Sequence, residues 1–292
     1  MNKFIKVAGG IGAIGLLSLS TMTSMGQDLD RWRIIQGVAV TGANHRLGEP
    51  LWELGGVLGR ASFAFVWGHN PGQTQPLPLT HLSDHNTVLA TGLDPNFLAV
   101  LGMTAEDIDP KFVNVPFRDV PVIVDPFDGR REQVPSVLEA PSSAPSRSEP
   151  NTPITLGDWL KASGKATIKC HSNARATIRF RLRQLIENGV YTMWGLFGVD
   201  TDNDGMEDRI VPSALGGVPN VIVPGPGGKA KVARVLGFCP LNEPGLKFID
   251  ITYHSDINVN GATVDLFLPG FAGFAVTNTH VAFPVNVKPI RD

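Results

Sequence analysis

From Ala176 to Leu185 the chain reads ATIRFRLRQL, and Ile178, Phe180 and Leu182 alternate with Arg179, Arg181 and Arg183. A period of two marks a strand with one covered face and one open face. The segments VYTMWGLFGV, AKVARVLGF, KFIDITYHSD, ATVDLFLPG and HVAFPVNV carry the same signal less regularly. In KFIDITYHSD, Ile249, Ile251 and Tyr253 alternate with Asp250, Thr252 and His254, which predicts a core side and a solvent side. Gly, Pro and Asn punctuate the gaps, as turns require. Short strands without a long helical period predict a mainly β fold, an antiparallel β-sandwich over residues 156–292.

Upstream the pattern weakens. Residues 133–155 are rich in Pro and Ser, which prevents regular pairing, and read as a linker. Residues 27–132 read as an irregular, loosely structured N-terminal extension. SFAFVWGHN suits a strand. PNFLAVLGMTAEDI suits a short helix with Asp94 as N-cap and Pro95 at its first position. Pro116, Pro121 and Pro126 confine the next apolar stretch to edge strands or loops.

Residues 1–26 have the form of an export signal. Lys3 and Lys6 precede an apolar run from Val7 to Leu19, and small residues at Ser24 and Gly26 suit cleavage before Gln27. The run is shorter than the roughly 20 residues that span a bilayer, which favours cleavage over the other reading, a retained N-terminal anchor. The expectation is an exported protein, periplasmic, cell-surface or extracellular, with no transmembrane segment after signal removal.

Charge changes the picture in one respect. A formal net charge of −2 gives no global basic field, so nucleic acid is not an expected partner. The arginine row on ATIRFRLRQL is the local exception. Arg179, Arg181 and Arg183, with Arg175 nearby, would line one sheet face and suit an acidic ligand. A solvated outer face guarded against aggregation is the other reading.

Cys170 and Cys239 are the only cysteines. In an exported chain a lone pair predicts a disulfide, with two buried free thiols as the alternative. Cys170 beside His171 does not suit nucleophilic catalysis, because neighbours on a strand point to opposite faces. No G-x-S-x-G elbow is present, and the glycine-rich VPGPGGKAK lacks phosphate-loop spacing and reads as a turn.

The densest acidic stretch is DTDNDGMED, from Asp200 to Asp208. Asp200, Asp202 and Asp204 occupy alternate positions, Gly205 permits a sharp turn, and Asp208 follows. This spacing resembles the calcium loops of the EF-hand, dockerin and thrombospondin type 3 families. The resemblance implies a calcium site in which Met206 offers its backbone carbonyl. Val211 stands where an EF-hand has its bidentate acid, so a weak, structural site is expected at a sheet edge, with Glu207, a distant residue or water as substitute ligand. An Asx-rich hairpin turn has the same residues.

Histidines offer an alternative metal site. His171, His254 and His280 with Asp256 could hold zinc or copper in a metal-dependent hydrolase or oxidoreductase. No H-x-H or H-E-x-x-H spacing accompanies them, and ordinary hydrogen-bonded histidines fit as well. His81, Asp84 and His85 lie close in THLSDH without a metal-binding pattern.

A longer likeness runs from about Gly164 to Val287. LIENGVYTMWGLF, DITYHSD and THVAFPV resemble uncharacterised secreted bacterial proteins, β-sandwich-like, that carry PNGxYTxW-type, YHSD and H-hydrophobic-F-P strands. Glu187 stands in place of the usual proline, and the resemblance brings no catalytic residues. Together these readings predict an exported, calcium-stabilised binding or structural protein.

Overall fold

The computed structural model describes residues 32–42, 44–54, 66–71, 77–90, 116–117, 152–171, 174–207, 209–215, 220–254 and 278–290. The strands are β1 (Trp32–Ala39), β2 (His45–Arg46), β3 (Glu49–Pro50), β4 (Trp52–Glu53), β5 (Trp67–His69), β6 (Val88–Ala90), β7 (Ser163–Cys170), β8 (Ala176–Arg183), β9 (Val190–Val199), β10 (Arg209–Ala214), β11 (Ala230–Leu236), β12 (Leu246–His254), β13 (Asn278–Pro284) and β14 (Lys288–Pro289). One short helix, α1 (Leu156–Leu160), precedes β7.

The mainly β, antiparallel expectation holds. Eight strands hydrogen-bond into a single curled sheet in the order β10-β9-β12-β13-β1-β7-β8-β11. The two layers of a sandwich are not separate sheets here; the other described strands form three two-stranded ribbons. The sheet is also not confined to residues 156–292. β1 pairs with β13 on one side and with β7 from Trp32 to Val38 on the other. Phe117 and Leu89, also upstream of the linker, are fully buried in the main core. Ile154, within the predicted linker, is buried too, and Thr155 caps α1 in a reciprocal capping box with Asp158. The predicted signal, the helix at Asp94 and the strand ATVDLFLPG lie outside the described residues.

Alternation decides the two faces. Ile35 and Ala39 of β1, Ala166, Ile168 and Cys170 of β7, and Ile178, Phe180 and Leu182 of β8 enter the main core. Ile249, Ile251 and Tyr253 of β12 and Val281 and Phe283 of β13 join them. Small residues admit the aromatic ring at the centre. Gly37 and Gly164 are directly paired, and a Cβ on Gly164 would lie 2.8 Å from the Phe283 ring. Phe283 meets Phe180 edge-on at 5.0 Å. The Cys170–Cys239 disulfide forms, with Cα atoms 5.3 Å apart, and ties the end of β7 to the segment after β11.

The outer face differs between the two halves of the sheet. Under β9, β12 and β13 it is covered by a second cluster, in which Trp52 of β4 lies 5.1 Å from Phe248. Under β7, β8 and β11 its positions are exposed or half-buried.

Candidate functional site

The acidic stretch forms the tip of the β9–β10 hairpin, at the edge of the large sheet. Strands on both sides confirm a sheet-edge loop and exclude a helix-loop-helix setting. Asn203 and Gly205 adopt left-handed backbone, φ 61° and 88°, which folds the loop back on its carboxylates. Gly205 N–H donates to Asp200 Oδ2 at 2.8 Å, and Met206 N–H donates to Asp204 Oδ1 at 2.7 Å. Asp204 N–H lies 3.3 Å from both Asp200 Oδ1 and Asp202 Oδ1. Slight desolvation raises the Asp200 pKa, but N–H groups of Gly205, Asn203 and Asp204 and the Asp202 side chain outweigh it and hold the carboxyl below its usual value.

Asp200, Asp202 and Asp204 each bring a carboxylate oxygen within 4.8 Å of the others. Calcium binds oxygen at roughly 2.3–2.6 Å, so atoms sharing one ion lie no more than about 5 Å apart. The donor set and its span therefore fit a hard divalent cation. Met206 is exposed at the turn, and Asp208 lies outside the described residues. Glu207 is drawn away to Lys247 of β12, 2.6 Å from its ammonium. Val211 sits in β10, paired with Phe197.

Among the described residues this is the one group of three or more acids, histidines or cysteines within ligand distance. The histidines lie elsewhere. His171, after β7, has Nε2 2.9 Å from Thr177 Oγ1. His254 ends β12, fully buried, with Nε2 2.7 Å from Thr192 Oγ1, which also accepts the Trp194 indole N–H at 2.6 Å. Asp256 is outside the described residues.

His280 is placed by a β-bulge. Ile251 pairs with Val281 but Thr252 pairs with Thr279, so His280 is the extra residue and turns into the core. There it stacks on Trp159 of α1 at 3.9 Å and on Tyr191 at 5.6 Å. The chain of hydrogen bonds fixes the tautomer. The Trp159 carbonyl can only accept, so Nε2 carries the proton of the neutral ring and Nδ1 accepts from Tyr191 OH at 3.1 Å, a hydroxyl that itself accepts from Ile186 N–H at 2.7 Å. Nε2–H then donates to the Trp159 carbonyl at 3.2 Å. Burial lowers the His280 pKa to about 3, against a smaller upward pull from that carbonyl. Both ring nitrogens are occupied and the ring is neutral. It braces α1 against the sheet.

The alternation of β12 conceals one residue. Asp250, expected on the solvent side, is 1% exposed between Trp194 of β9 and Ala282 of β13. Desolvation raises its pKa well above the usual carboxylate value, and Oδ1 has no hydrogen-bond partner among the described residues. Period two predicts which face a side chain takes but not whether that face is covered.

The arginine row is where the alternation places it. Arg179, Arg181 and Arg183 point outward from β8 and are exposed. The glycine-rich segment is a turn closed by pairing of Gly225 with Lys229, as expected. Among the described residues no helix is long and apolar enough to cross a membrane. No model of a known protein family matches the chain, and no curated protein matches it.

Proposed function

We propose that the chain is an exported binding or structural protein of the cell surface or extracellular space, stabilised by calcium at the β9–β10 hairpin. Asp200, Asp202 and Asp204 would hold the ion, with the Met206 carbonyl and Asp208 completing the shell. The observation that carries this reading is the convergence of the three carboxylates within 4.8 Å on a loop already folded by its own hydrogen bonds. The role is structural: the cation joins the two ends of a hairpin on an edge strand. No observation favours the alternative, a metal-dependent enzyme using His171, His254, Asp256 and His280, since His280 has both nitrogens engaged.

Thermal melting in millimolar calcium and in chelator tests the reading. With affinity in the roughly 10⁻⁴–10⁻³ M range of extracellular modules, 10 mM calcium should stabilise the fold by about 1–3 kcal/mol. Asp202→Asn should abolish most of that shift. Identical melting in calcium and chelator would overturn the proposal.

A further inference from the structure

The outer face of β1, β7, β8 and β11 forms a regular grid. Trp32, Lys169, Thr177 and Val235 make one row across the strands. Ile34, Thr167, Arg179 and Ala233 make the next, and Gln36, Lys165, Arg181 and Lys231 the third. The strands place Lys165, Lys169, Arg179, Arg181, Arg183 and Lys231 on this face, and no acid among its positions. Among the described residues no carboxylate pairs with Lys165, Arg181, Arg183 or Lys231. Like charges directly opposite on neighbouring strands repel. Lys165↔Arg181 and Arg181↔Lys231 are two such pairs in succession. Folding alone would not favour that row; an anion laid across it would.

The same face keeps unusual apolar exposure. Trp32 is 40% exposed, Ile34 53% and Val235 59%. The Trp32 ring meets Arg179 at 5.1 Å and Lys169 at 5.8 Å. Trp32, Ile34, Lys165, Thr167, Arg179 and Arg181 line a shallow depression of about 260 Å³. Small-molecule pockets usually run roughly 300–1,000 Å³ and enclose their ligand, so this one suits a single ring of a longer chain.

We infer that this face docks an acidic polysaccharide, a chain of sugar rings bearing carboxylate or sulfate groups. The inference deepens the binding-protein reading above and rests on it. Arginine forks pair with carboxylate or sulfate oxygens. Thr167, Thr177 and Gln36 stand between the cations where sugar hydroxyls need donors and acceptors, and Trp32 offers an apolar platform for a ring. Two alternatives fit less well. A membrane surface favours a contiguous apolar patch, whereas Val235 is separated from Trp32 by Lys169 and Thr177. Single-stranded nucleic acid stacks successive bases on several aromatics, and Trp32 is the one aromatic on this grid.

Affinity electrophoresis of the folded chain through gels containing polygalacturonate, dextran sulfate or neutral dextran tests the inference. Phosphatidylserine vesicles and oligothymidine serve as competing ligands. The expected result is retardation by one or both acidic polymers and none by neutral dextran, and the tighter of the two identifies carboxylate or sulfate. Lys165→Thr/Arg181→Thr/Lys231→Thr should weaken retention about tenfold or more, since several charge-assisted hydrogen bonds are lost. Trp32→Ala should weaken it several-fold, an effect that simple ion exchange would not produce. No retardation, equal retention by the triple variant, or tighter binding to vesicles or oligothymidine would overturn it. Melting the same samples in calcium and chelator separates the two proposals. Lost glycan binding with an intact calcium shift sinks only this inference; glycan binding without a calcium shift sinks only the loop.

Discussion

β8 and β12 both alternate apolar and polar residues, yet the two strands live in different surroundings. On β8 the polar set, Arg179, Arg181 and Arg183, is open to solvent. On β12 the polar set, Asp250, Thr252 and His254, is buried along with its apolar partners. The difference comes from what lies outside the sheet. The ribbon of β4 and β14 brings Trp52 and its neighbours under β12 and β9, while β7 and β8 have no described element beneath them. One half of the sheet is therefore sealed on both faces and makes the fold. The other half is sealed on one face and presents chemistry.

The first way to break this comparison is to attack the sealed half. Trp159 packs on Phe117, Tyr253 and His280 and donates its indole N–H to the Val40 carbonyl at 2.7 Å. Trp159→Ala should cost about 3–5 kcal/mol in urea unfolding, the range for a large core aromatic. A loss below about 1 kcal/mol would mean the half is not sealed as described.

A second test sharpens the same point through pH. His280 is held neutral, with a folded pKa near 3 against an ordinary value of 6.5. A depressed histidine pKa means the unfolded chain takes a proton that the native chain refuses. The histidine's contribution to stability is thus complete above about pH 6.5 and falls with acidification, by up to about 1.4 kcal/mol per pH unit down toward pH 3. Buried Asp250, whose pKa is raised, contributes the opposite slope, so the readout is a difference: from pH 7 to pH 4 the parent chain should lose stability relative to His280→Gln, even if that variant is less stable overall. Parallel slopes would place the histidine in contact with water.

Much of this was legible in the sequence where one physical rule acted alone. Period two located β8, β9, β11, β12 and β13, and the lone cysteine pair announced its bridge. Asp spacing pointed to the hairpin tip. β1 was not foreseen, and β7 and β10 carry no period-two signal of their own, although a strand at Cys170 and strand-like flanks to the acidic loop were expected. On β7 the core-facing set begins with Gly164 and Ala166, too small to give a hydrophobic rhythm, because the Phe283 ring occupies the space above Gly164. β10 contains Pro212, which an edge strand tolerates. β1 belongs to the sheet through pairing with strands more than a hundred residues away, which no local pattern encodes. Burial of Asp250 was hidden for the same reason, since its cover comes from distant segments. The inward turn of His280 depends on a bulge, and a bulge is a property of the pair of strands rather than of either one.

The open half of the sheet is arranged for something other than folding. Urea unfolding of the Lys165→Thr/Arg181→Thr/Lys231→Thr variant tests it most directly. Threonine suits an exposed strand position, and the substitutions remove two opposed like-charge pairs, each costing roughly 0.2–1 kcal/mol. The unfolding midpoint should equal or exceed that of the parent chain. A loss of more than about 1 kcal/mol in unfolding free energy would show instead that the row supports the fold.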